Sequence, residues 1–146
     1  MIYLGKPVKR WRDQRGVASL EFALVLPLLV LLVFGIMEYG WIFFRMHELS
    51  STVRDAARVA VRPDTTDLGV RQRARSMMDA YGMGDSGYTL NIDPGSVETL
   101  VLGEEITVTI QVPRAHVDLM GLRIMPLPAT LGATATMAKE GPSVGP

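Results

Sequence analysis

No cysteine occurs among the 146 residues. That excludes disulfide staples, thiol nucleophiles and sulfur-ligated metal centres, so an exported domain in this chain must hold together by packing or by contact with partners. Histidine is almost as scarce, with only His47 and His116. Two scattered imidazoles do not make a zinc site, and no acidic stretch follows a calcium-loop pattern. His47 and Ser51 stand four apart on a helical spacing, but no acid is placed to orient the imidazole, so no hydrolytic triad forms. His116 lies in a loop beside Asp118. The glycine-rich stretch from Gly82 to Gly87 follows a helical segment and lacks the Lys-Ser/Thr ending of a phosphate loop. It reads as a turn. Arg71, Arg73 and Arg75 cluster without interleaved aromatics, which is poor ground for a nucleic-acid interface. The expectation is a protein that is not an enzyme, needs no cofactor and no metal, and binds no nucleic acid.

What the chain does have is one long apolar run. Phe22 to Met37 is sixteen consecutive residues without a formal charge, and after Glu38 the run resumes as Tyr39-Gly40-Trp41-Ile42-Phe43-Phe44. From Val17 to Phe44 there are 28 residues, about 42 Å of helix at 1.5 Å per residue. A bilayer core needs about 20, so this segment spans it with a turn or two to spare. Charge is balanced overall but unevenly placed. Residues 1–16 hold Lys6, Lys9, Arg10, Arg12 and Arg15 against Asp13, a net of +4, and the remainder carries −4. Basic residues ahead of a spanning helix keep that end in the cytoplasm, which puts the C-terminal 102 residues outside.

Three readings compete for the N-terminus. A secretory signal peptide has an apolar core of 7–15 residues, shorter than this one, although Gly35 and Gly40 offer small residues near its end. A plain uncleaved anchor fits the length. Neither accounts for Glu21, a carboxylate at the entrance of the apolar segment, where an unpaired charge is costly. The third reading uses the order basic leader, Gly16, four residues, Glu21, Phe22, then the apolar run.

That order resembles the processing site of type IV prepilins. Val17-Ala18-Ser19-Leu20-Glu21-Phe22-Ala23-Leu24-Val25-Leu26-Pro27, with Phe34-Gly35-Ile36-Met37-Glu38-Tyr39-Gly40 further on, is most similar to the TadE-like proteins of the Tad (Flp) pilus system. The likeness is strong over about residues 10–62 and beyond that is one of layout. It implies a bacterial inner-membrane protein with a single pass, its N-terminus cytoplasmic and its C-terminal domain periplasmic or extracellular. It further implies a minor pilin or pseudopilin, cut by a prepilin peptidase between Gly16 and Val17. Such a protein assembles through its N-terminal helix into a pilus or secretion filament. Implied partners are other Tad pilins, an inner-membrane platform protein, an outer-membrane secretin and a cytoplasmic ATPase, besides membrane lipid. The competing class is an uncleaved single-pass anchor whose outer domain binds a protein or wall component.

The motif also has a physical reading of its own. Gly16 lacks a side chain, so a protease can draw the backbone there into an extended, close-fitting conformation, and glycine weakens helix continuation. That separates the leader from a helix expected to start at Val17. Cleavage would leave an α-ammonium on Val17, one turn from Glu21, where the two charges (or those of neighbouring subunits) can pair. The alternative places Glu21 in the headgroup layer, about 6 Å along the helix from Val17. Glu38, about 31 Å beyond Val17, is expected in water at the outer edge of the hydrocarbon, beside the interfacial aromatics Tyr39 and Trp41, or paired with a basic residue of a partner. Pro27 and Gly35 are loose points, read either as a passive kink or as a hinge.

Beyond the span, Leu49, Val53, Ala56 or Ala57 and Ala60 recur at helical steps, so the helix is expected to run to about Arg62, 46 residues and about 69 Å in all. Arg54, Arg58 and Arg62 form a separate row, read as a solvated face partly neutralised by Asp55. Pro63 to Asp67 breaks the helix, with Thr66 or Asp67 to cap a short one over Leu68–Tyr81 that turns Val70, Ala74, Met77 and Met78 inward. Alternation marks strands at Tyr88–Asp93, Ile106–Val112 and Ala129–Ala138, with a strand edge at Val97–Leu102. The fold class is therefore α+β. It comprises a leader (1–16), a long transmembrane helix (17–44), a pilin-like head with a short helix and a 3–4-stranded antiparallel sheet (45–138), and a flexible tail (139–146).

Overall fold

The computed structural model describes residues 13–121 and 128–141. The leader through Arg12, residues 122–127 of the segment between Arg114 and Pro128, and the end of the tail lie outside the described residues. The elements run α1 (Asp13–Ala60), α2 (Asp67–Ala80), β1 (Thr89–Asp93), β2 (Glu105–Pro113), a 3-10 turn (Arg114–His116) and β3 (Thr130–Ala138). The chain divides into two compact units between Met37 and Glu38, and α1 contributes to both.

The first unit is the apolar part of α1. Its most apolar 18-residue window has a mean hydropathy of 2.6, and only 6% of that window is buried. Leu20, Phe22 and Leu28 stand more than half exposed on different sides of the helix. An α-helix apolar on all sides and uncovered by its own protein is matched to lipid or to like helices, since water would penalise every face. α1 begins at Asp13, so Gly16 lies inside the helix and does not separate it from the residues before Val17. The glycine penalty of about 1 kcal/mol is small against the cooperativity of a helix already nucleated downstream. The helix also runs unbroken through Pro27 and Gly35.

The second unit is α+β. The C-terminal part of α1 buries Leu49, Val53, Ala56, Ala57 and Ala60 completely. They share one core with Val70, Ala74 and Met78 of α2 and with the inner face of the sheet. α2 starts where Thr66 Oγ1 accepts the Gly69 amide at 3.2 Å, an N-cap that satisfies one of the helix's free donors. It ends in a Schellman turn. Gly82, at φ +68°, sends its N–H to Asp79 O, and Met83 N–H reaches Met78 O at 2.7 Å. The left-handed backbone at Gly82 is what glycine supplies there.

The sheet is a three-stranded antiparallel meander in the order β1-β2-β3. Ile106, Val108, Ile110 and Val112 of β2 point into the core, opposite Met137, Ala135, Ala133 and Leu131 of β3. On the outer face Thr107 pairs with Thr136 and Thr109 with Thr134 through their hydroxyls, at 2.8 and 3.1 Å. The period-two pattern thus separates a buried face from a polar one, as expected of an antiparallel sheet packed on one side.

Three sequence expectations are corrected here. Val97–Leu102 is not a strand: Val97 is buried and its amide bonds Asp67 Oδ1, but Val101 and Leu102 are exposed in a turn with no neighbouring strand to pair. The head does not begin at 45, because Glu38, Trp41 and Ile42 already belong to the second unit. Nor does the tail begin at 139. Lys139 is buried, and the Glu140 amide bonds Val61 O at 3.0 Å.

Candidate functional site: the motif turn and the base of the head

Gly16, Val17, Glu21 and Phe22 lie within the first three turns of α1, all exposed. Val17 and Glu21 are one turn apart on the same side of the helix, as the i, i+4 spacing dictates. A Cβ built on Gly16 meets nothing within 4 Å, so neither the helix nor its surroundings require a glycine there. Pro27 is exposed along the same helix, and Gly35 is buried.

A second polar constellation sits at the start of the second unit, and the sequence expectations did not bring it together. Glu38, Trp41, Arg45 and Glu48 recur at steps of three, four and three, and so share one side of α1. Glu38 is fully buried, contrary to the expectation of a solvated carboxylate, and none of the ion pairs among the described residues involves it. Its Oε2 accepts the Met120 amide at 3.1 Å, and its Oε1 has no hydrogen-bond partner. Trp41 donates from Nε1 to the Val117 carbonyl at 2.8 Å, which gives this aromatic a fixed partner in the head. The Arg45 guanidinium lies 4.5 Å from the centre of the Trp41 ring. Its Nη1 donates to Glu48 Oε2 at 2.9 Å and to Tyr81 O at 2.7 Å, just past the end of α2. Arg114 and Asp118 close the loop with a 2.8 Å ion pair.

This side of α1 therefore bonds three backbone groups of loops from elsewhere in the chain: Met120 N–H, Val117 C=O and Tyr81 C=O. A signal for it exists in the sequence. Glu38 and Arg45 are in phase with Ile42, Leu49 and Val53, so the core stripe continues toward the apolar run with polar occupants.

The other candidates stay apart. His47 is exposed and forms no recorded bond with Ser51; both line an open groove of about 440 Å³ with Arg54, Asp55 and Arg58. Asp55 pairs across to Arg73 of α2, whereas the sequence set it against the row of Arg54, Arg58 and Arg62. Asp118 is engaged by Arg114, and His116 lines a separate cleft with Asp79, Asp85 and Ser86. Among the described residues no group of three or more His, Asp or Glu is placed to hold a metal ion.

A family model described as TadE-like protein matches residues 16–58. No curated protein and no solved structure matches the chain. The matched segment starts at the motif glycine and takes in the apolar helix, the Glu38–Glu48 side and most of the alanine stripe. From Gly16 to Arg58 the chain is similar to TadE-like proteins, in agreement with the resemblance carried by its N-terminal motif.

Proposed function

We propose that this protein is a minor pilin or pseudopilin of the Tad system, cut after Gly16 by a prepilin peptidase and assembled through its N-terminal helix. The observation that carries the reading is the placement of Gly16 and Glu21, five residues apart, at the entrance of a helix whose apolar faces are left bare. Removing the leader places an ammonium on Val17 one turn from Glu21. The exposed helix then has two occupants of matching polarity in turn, lipid before assembly and like helices after it. The head stays outside the membrane and joins the filament or its basal machine.

The competing reading is an uncleaved single-pass anchor with an extracytoplasmic binding domain. One observation favours it: Gly16 is helical, so a peptidase must first unwind the turn that contains the bond it cuts. Intact-mass measurement on protein extracted from membranes of its native host separates the two. Loss of residues 1–16 supports processing, and a chain that retains them overturns it.

A further inference from the structure

We propose that the loop Val117–Gly121 is a second membrane contact, laying Leu119 and Met120 into the lipid interface beside the point where α1 leaves the bilayer. The partner is the lipid surface itself. The proposal rests on the reading of α1 as a membrane anchor.

Position comes first. Val17 to Met37 is 21 residues, about 31 Å of helix, which matches the thickness of a hydrocarbon core. Glu38 follows directly, so the residues bonded to Glu38 and Trp41 lie at the level of the interface. The loop is bonded there at two points, by Glu38 to Met120 N–H and by Trp41 to Val117 C=O.

The surface chemistry agrees. Leu119 is 43% and Met120 40% exposed, and Tyr39, Phe43 and Phe44 stand exposed on the same stretch of helix. Exposed apolar side chains on a loop held by its backbone are not waiting to fold inward; they present a collar of apolar and aromatic groups of the kind found at membrane interfaces.

The polar groups supply the third point. An irregular loop at the edge of hydrocarbon cannot rely on water for its amides and carbonyls, so the protein must provide their partners. Glu38 and Trp41 do so, and the burial of a carboxylate next to an apolar span then has a physical cause. At a fully hydrated site, water would serve the Met120 amide and Glu38 would not need to be buried against it.

The absence of cysteine makes the test direct. Single variants Leu119→Cys and Met120→Cys carry a polarity-sensitive fluorophore in the full chain, reconstituted at one copy per lipid nanodisc so that no second protein covers the loop. Leu29→Cys in the span and Glu140→Cys, bonded through its backbone to Val61 at the other end of the head, serve as references. The expected result is blue-shifted emission at 119 and 120, quenched by lipids spin-labelled near the headgroup and severalfold less by aqueous iodide than at 140. Iodide quenching at 119 and 120 equal to that at 140, with 29 still quenched by lipid, overturns the loop contact and leaves the anchor standing. If 29 is also open to iodide, the anchor reading fails and takes this proposal with it.

Discussion

Lys139 reaches the carbonyl of Arg62 with its Nζ, at 2.9 Å, across 77 residues of sequence. The same ammonium lies 3.3 Å from Ala60 O and 3.4 Å from Val97 O. The last carbonyls of a helix have no partner within it, and a cation there satisfies them and complements the helix dipole. Lys139 follows β3 directly, so one side chain ties the end of the sheet to the end of α1 and to the segment after β1.

Replacing Lys139 by Met keeps the aliphatic stem and removes the three donors. Hydrogen bonds from a charged group contribute about 1.5–3 kcal/mol, so Lys139→Met should destabilise the head by about that amount. Urea unfolding of the detergent-solubilised protein should show a lower midpoint at unchanged slope. An unchanged midpoint would mean that the last turn of α1 is satisfied without it.

Ala57 and Arg58 are neighbours with opposite surroundings. Ala57 is completely buried in the core shared with α2 and the sheet, whereas Arg58 is exposed. Enlarging a close-packed position forces neighbours off their rotamers, so Ala57→Leu should cost about 1–3 kcal/mol. Arg58→Ala should stay within about 0.5 kcal/mol. Equal melting temperatures for the two variants would argue against tight packing along the alanine stripe.

Elements with a strong local period were legible in the sequence. The alternation in Ile106–Val112 gives β2 with its faces correctly assigned, and Thr66 marks the start of α2. What escaped depends on distant partners. Glu38 looked solvated because its acceptor role is fixed by an amide 82 residues later. Lys139 stands in a stretch rich in Gly and Pro, yet the carbonyls at the end of α1 hold it. Val97–Leu102 has strand-forming residues but no free sheet edge to join. The motif turn is a different case. The ammonium expected opposite Glu21 exists only after a bond is cut or when another subunit arrives, so the intact single chain cannot display it.

Gly16 is free of steric demands in the folded chain, which separates folding from processing. Gly16→Leu places a good helix former where a Cβ meets nothing, so the helical content of α1 should hold or rise slightly. A peptidase that needs bare backbone at the scissile bond should no longer cut. Immunoblots of membranes should then show one band, heavier than the wild-type product by the 16-residue leader. Normal cleavage in that variant would remove the role given to the glycine.

The charge on Glu21 is the part of the motif that acts after the cut. Glu21→Gln keeps the shape and exposure of the side chain and removes only the charge, so insertion and processing should proceed as before. What should fail is the step in which the Val17 ammonium, of the same subunit or a neighbour, is taken up in a water-poor helix bundle. An ammonium entering such a bundle without its carboxylate keeps the desolvation cost and loses the attraction that offsets it. The amount of this chain in sheared filaments, relative to the processed pool in the membrane, should therefore fall roughly tenfold or more. Glu21→Asp, which retains the charge on a shorter arm, should recover part of it. If Glu21→Gln incorporates normally, the carboxylate acts in the headgroup layer and assembly depends on the apolar helix faces alone.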